Sequence, residues 1–277
     1  IQLEGATEED QIDEHFISLS ADWGKVIFGA ENGVGHLMQV RAPSFVPGLK
    51  IYDNSLTDKG IERAYSEIFR VPVSTTPADG LRNIIEDAHM STKLEHISGD
   101  ANKFSFITPK VGGLQFGISF TPNNADRGGS SDNLIASDGT DAALDLQEDI
   151  IELAFTYYGR VGGVKYKIGH SSVAGDTRRE GQPDPESTST GLRVAWSDYV
   201  FGANLSTYED LNTLAGDKYT GDKIDTLNYG LRYRRGDSHW GIGWTQSEEA
   251  LNGTSGNITE YEEWMIGGGK KIAAGVS

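Results

Sequence analysis

The sequence predicts an all-β protein, a transmembrane up-and-down antiparallel β-barrel. Three observations carry this reading. Apolar side chains recur at every second position in run after run, short turns alternate with long polar connections, and large aromatics gather beside the short turns. The clearest run is "NKFSFITPKVGGLQFGISFTP", Asn102–Pro122. Phe104 and Phe106 lead its first arm, and Leu114, Phe116, Ile118 and Phe120 take alternate places in the second, with Gln115, Gly117 and Ser119 between them. Such a hairpin has one apolar and one polar face.

The same unit recurs along the chain. His15–Gly29 turns at Ala21–Gly24, Asp149–Val173 around Gly159–Gly163, Thr190–Tyr208 at Ser197–Asp198, and Asp225–Ser247 at Arg235–Ser238. Thr259–Ser277 begins another. The alternating runs are about 8–11 residues long, near the roughly 9–11 that a tilted membrane strand needs. Within them Ile151, Leu153, Phe155 and Tyr157 oppose Glu152, Ala154 and Thr156, and Leu227, Tyr229, Leu231 and Tyr233 oppose Asn228, Gly230 and Arg232. The connections 123–148, 174–187, 209–223 and 248–257 are acidic and rich in Asn, Gly, Ser and Thr. An up-and-down barrel collects all its short turns at one end and all its long loops at the other. Trp23, Tyr157, Tyr158, Trp196, Tyr199, Tyr233 and Trp240 lie near the short turns, as an interfacial aromatic girdle would.

Bulk properties agree with this reading without requiring it. The 277 residues have a mean hydropathy of -0.42, 35 Gly, 8 Pro and no Cys. No apolar run is long enough for a transmembrane helix, but barrel strands escape that test because only alternate residues meet lipid. Without Cys there is no disulfide, thiol nucleophile or Cys-ligated metal. A net charge of -17 disfavours nucleic acid as a partner. The opening "IQLEGATEED" lacks the basic and apolar regions of a signal peptide.

One segment breaks the rhythm. Residues 33–102 form a connection far longer than ordinary loops, which marks it as functional. Asp58–Arg70 and Asp79–Ile97 carry apolar residues at helical spacing, separated by Pro72 and Pro77. A segment this apolar must pack on something, and the space on offer is the barrel interior.

"ISLSADWGKVIFGAENGVG" and "NKFSFITPKVGGLQFGISFTP", which flank this segment, resemble the matching parts of Gram-negative general porins. The resemblance runs through the whole hairpin series. It implies a sixteen-stranded homotrimeric barrel that passes small hydrophilic solutes and ions across the bacterial outer membrane. Residues 1–277 would be a single barrel domain incomplete at both ends, with 33–102 as an inward-folded constriction loop. Selection would then be electrostatic rather than catalytic. The loop offers Asp53, Asp58, Glu62, Glu67, Asp79, Glu86 and Asp87 with Arg63, Arg70 and Arg82. The facing wall offers Lys165, Lys167, Arg193, Arg232 and Arg234. The acidic long loops predict a cation-attracting mouth.

Outer-membrane lipid would meet the apolar face, and lipopolysaccharide could bridge to the acidic loops through divalent ions. No cofactor is implied and no protein metal site is read. "DGTDAALD" (Asp138–Asp145) lacks calcium-loop spacing. His170 and His239, placed near strand ends, have no triad partners. A second reading is a soluble secreted β-sandwich or barrel that binds glycans through exposed Trp and Tyr. It explains the alternation but neither the turn–loop asymmetry nor the long insertion.

Overall fold

The computed structural model describes residues 14–45, 92–94, 97–124, 147–177, 183–210, 223–250 and 258–270. They form one eleven-stranded sheet in strict sequence order. The strands are β1 (His15–Ala21), β2 (Gly24–Ala30), β3 (Asn102–Ile107), β4 (Leu114–Asn123), β5 (Gln147–Val161), β6 (Val164–Thr177), β7 (Glu186–Trp196), β8 (Tyr199–Glu209), β9 (Lys223–Arg235), β10 (Ser238–Ala250) and β11 (Ile258–Lys270). Every neighbouring pair is antiparallel. Among the described residues β1 and β11 do not pair with each other, so the sheet is open. The helix among the described residues is α1 (Val34–Leu37), a single turn.

The expected alternation of short turns and long connections is present. The links β1–β2, β3–β4, β5–β6, β7–β8 and β9–β10 are tight, and those between are long. Chain chemistry explains the tight ones. Gly162 and Gly236 take φ of 58°, and Gly112 and Gly113 take 59° and 89°, all in the left-handed region that glycine enters without a Cβ clash. Strand lengths depart from the expected 8–11 residues, running from 6 in β3 to 15 in β5. The longer ladders continue beyond the apolar run, where Glu186, Thr188 and Glu209 take outward positions.

The two faces are inverted relative to a water-soluble protein. In β5, Ile151, Leu153 and Phe155 are 48, 50 and 39% exposed, whereas Glu152, Ala154 and Thr156 are 0, 6 and 1% exposed. Phe104, Phe116, Ile118, Phe120, Leu192, Phe201, Leu205, Leu231 and Ile242 continue the exposed apolar face from β3 to β10. Ser105, Ser119, Ser189, Asn204, Ser206, Thr226, Asn228 and Thr245 are buried on the other. Soluble monomers rarely expose apolar patches above a few hundred Å². A continuous apolar face over a polar interior is what hydrocarbon outside and water inside require.

Aromatic rings mark the short-turn end of that apolar face. Trp196, Tyr199, Tyr233 and Trp240 form one row across β7–β10, with successive ring centroids 6.4, 4.9 and 5.6 Å apart. His170 is not at a strand end. It lies mid-strand in β6, with its Nδ1 2.8 Å from Thr190 Oγ1 on the neighbouring strand. The hydrogen bond lets two polar groups sit within an otherwise apolar face.

Candidate functional site: the polar face and the connection docked on it

Both ends of the long β2–β3 connection lie against the polar face. The first, residues 33–45, crosses the strands one after another. Val34 N–H donates to Ser119 Oγ on β4 at 2.9 Å, and Gly35 N–H donates to Glu152 Oε2 on β5 at 2.8 Å. Gln39 Nε2 donates to Ser189 Oγ on β7 at 2.7 Å. Arg193 of β7 donates twice to the Arg41 carbonyl, at 3.1 and 2.7 Å, and once to that of Ala42 at 3.1 Å. Arg232 Nη1 of β9 donates to the Ser44 carbonyl at 3.1 Å.

A row of glycines makes this crossing possible. A Cβ built at Gly117 would lie 2.5 Å from Met38 Sδ, at Gly169 2.5 Å from Val40 Cγ2, and at Gly191 1.8 Å from the Val40 carbonyl oxygen. At Gly202 it would lie 2.9 Å from the Arg41 carbonyl oxygen, and at Gly241 2.7 Å from the Phe45 ring. Side chains at these positions would hold the docked backbone off the wall. Gly169 and Gly191 are register partners, so the track is continuous across β6 and β7.

The returning end, residues 92–94 and 97–101, docks beside the first. Ser206 Oγ donates to the Thr92 carbonyl at 2.9 Å, Asn228 Nδ2 to Thr92 Oγ1 at 2.8 Å, and Tyr208 Oη to the Lys93 carbonyl at 3.1 Å. Leu94 and Ile97 pack with Ile150, Val173, Tyr208 and Ile224. Glu152 ties the two ends together, since Ser98 Oγ donates to its Oε1 at 2.6 Å while its Oε2 holds Gly35. Lys103 Nζ adds bonds to the Gly99 carbonyl at 2.6 Å and to the Glu31 carbonyl.

Glu31, at the bend after β2, is nearly buried. Burial pushes its carboxyl above the usual range. The Asn32 N–H bonded to it at 2.9 Å and the cations Lys25 and Lys103 pull it back down, while Asp100 pushes it further up. A carboxyl raised on folding binds its proton more tightly in the folded state, so its contribution is complete at low pH and fades as pH rises through the folded value. Glu31→Gln should therefore flatten the pH dependence of melting between mildly acidic and neutral pH and raise stability at the neutral end. Calorimetry in detergent across that window checks it. A variant that melts less stably than the parent at neutral pH would contradict it.

The five wall cations Lys165, Lys167, Arg193, Arg232 and Arg234 all occupy polar-face positions on β6, β7 and β9. Two of them, Arg193 and Arg232, hold carbonyls of residues 41, 42 and 44. The loop charges Asp53, Asp58, Glu62, Arg63, Glu67, Arg70, Asp79, Arg82, Glu86 and Asp87 lie outside the described residues, as do the helical stretch Asp58–Arg70 and all of Asp79–Ile97 but 92–94 and 97, which are not helical. Sequence reasoning put Glu152 on the polar face but gave it no role. The signal was a lone carboxylate among small inward residues.

The Gram-negative porin family model matches residues 1–276. The chain belongs to the Gram-negative porins. Solved structures share the fold with this porin at low identity. The outer-membrane expressed OmpT of Vibrio cholerae matches with a TM-score of 0.53 and 10% identity, over 96% of this chain and 69% of that one. A porin refined at 1.8 Å resolution matches with a TM-score of 0.52 and 14% identity, over 94% of this chain and 71% of that one. In-vitro folded OmpT of Vibrio cholerae in trimer form matches at 0.50 and 10%, over 95% and 66%. This porin therefore spans about two thirds of the length of the structures that it matches. No curated protein sequence matches it. Its setting is the bacterial outer membrane, and its fold is that of the transmembrane barrels.

Proposed function

We propose that this porin forms a water-filled diffusion channel for small hydrophilic solutes and ions. Residues 33–102 act as its constriction loop, and the channel works without a catalytic step. The observation that carries the reading is the docking of residues 33–45, 92–94 and 97–101 on the polar face. Anchoring of both ends on this face supports reading the connection between them as the loop that narrows the lumen. The loop carboxylates and guanidiniums, set against Lys165 and Arg234 of the wall, would impose a transverse field that sorts solutes by charge and dipole. The apolar face would meet outer-membrane lipid, and the acidic long loops would meet lipopolysaccharide through divalent ions. A homotrimer fits the trimer form of the OmpT neighbour.

Deleting residues 53–87 from the complete protein, while keeping both docked ends, tests the reading. The barrel should still assemble, because none of the eleven described strands is touched. Single-channel conductance should rise, and larger sugars should enter liposomes in a swelling assay. A folded deletion variant with unchanged conductance and size cutoff would remove the loop from the selection mechanism.

A further inference from the structure

We infer that the short-turn end of the polar face holds an anion site, built to take a multivalent oxyanion of the phosphate class. The inference rests on the channel reading and adds a bound solute to it. A cavity of about 360 Å³ opens there beneath α1, lined among others by Lys25, Gln115, Tyr158 and Lys167. These residues come from β2, β4, β5 and β6. Tyr158 and Lys167 are register partners, so ring and ammonium are adjacent by construction.

Among the described residues the charges converge without a compensating acid. Lys110 Nζ lies 3.7 Å from the Tyr158 ring centroid, and Lys167 Nζ lies 5.2 Å from the same centroid. Among the described residues, those acting on Lys167 are the cations Lys110 and Arg193 and the Tyr158 phenol, none of them a carboxylate. No carboxylate among the described residues lines the cavity. Lys25 acts on the Glu31 carboxyl, which lies beyond the other end of β2.

Two ammonium groups over one ring repel each other. The ring face attracts each of them but leaves that repulsion in place. A ligand with two or more negative charges removes it, and three ammoniums together with the Tyr158 hydroxyl supply the donors that phosphate oxygens accept. A monovalent anion satisfies the arrangement less well, because it neutralises only one of the crowded cations. The volume admits a pyrophosphate or a small phosphate ester. The long loops at the opposite end are acidic. A phosphate-bearing solute would therefore meet attraction at the short-turn end and repulsion at the other.

Titration of detergent-solubilised complete protein with inorganic pyrophosphate reads binding directly, independently of conduction. Binding should be saturable at low salt. It should weaken about tenfold in Lys167→Gln and again in Lys25→Gln, and survive in Lys167→Arg. Lys110→Gln, at an exposed position, should weaken it without any risk to folding. In planar bilayers pyrophosphate should interrupt current from one compartment only. Absent binding, or binding unchanged in all three Gln variants, would overturn the site. Binding that follows the variants in a protein that conducts no current would uphold the site and instead sink the channel reading.

Discussion

Replacing Phe155 by Arg is expected to cost the membrane-inserted protein about 2–4 kcal/mol, the range for a cation near the bilayer midplane on the lipid face of a barrel. Phe155 sits mid-strand on the apolar face, opposite Phe116 on one side and His170 on the other. Its ring lies 6.5 Å from that of Phe116. A guanidinium there would lose water and find no carboxylate. Phe155→Leu, which keeps an apolar side chain, should cost less than about 1.5 kcal/mol. Reversible denaturant titration into lipid vesicles measures both. An F155R protein as stable as the parent would mean that this face does not meet hydrocarbon, and the soluble glycan-binding reading would return.

Gly191→Val should unseat the docked connection. Its Cβ would fall 1.8 Å from the Val40 carbonyl oxygen, a contact with rigid backbone that no rotamer relieves. Overpacking of this kind costs about 1–3 kcal/mol. The cost falls on docking, because the β6–β7–β8 ladder keeps its backbone hydrogen bonds. Amides of residues 39–45 should exchange hydrogen faster, and single-channel conductance should rise toward that of the loop deletion. Gly163→Ala is the matched control, since a Cβ there meets open space. Unchanged exchange and conductance in a folded G191V protein would show that the glycine track does not position the loop.

The strands were legible because a half-buried strand writes its two faces into alternate residues, and lipid makes that contrast stronger. Ile151 to Tyr157 could be sorted into faces by inspection, and the structure sorts them the same way. The turns were legible because their chemistry is local, as at Gly162–Gly163 and Ser197–Asp198. What could not be read depends on partners far apart in sequence. Arg193 and Arg232 read as lumen-facing charges, and only the fold reveals that carbonyls of residues 41, 42 and 44 receive their N–H groups. Gly117, Gly169 and Gly191 read as generic sheet glycines until residues 38–40 are laid across them. The one-turn helix at Val34–Leu37 carries no periodic signal, being shorter than the pattern that would announce it.

The Glu152 carboxylate also sets an order of events during assembly. It joins Gly35 and Ser98, which lie 117 and 54 residues before it in the chain. Neither end of the connection can be seated until β5 has been added to the growing sheet. Arg193 and Arg232 extend the same dependence to β7 and β9. Contacts of such long sequence separation form late, because closing large loops is entropically costly until the surfaces that reward it exist. The wall is therefore expected to form first, hairpin by hairpin, with the connection settling afterwards. Residues 33–45 touch strands from β4 to β10, so their seating would report that this much of the wall is in place.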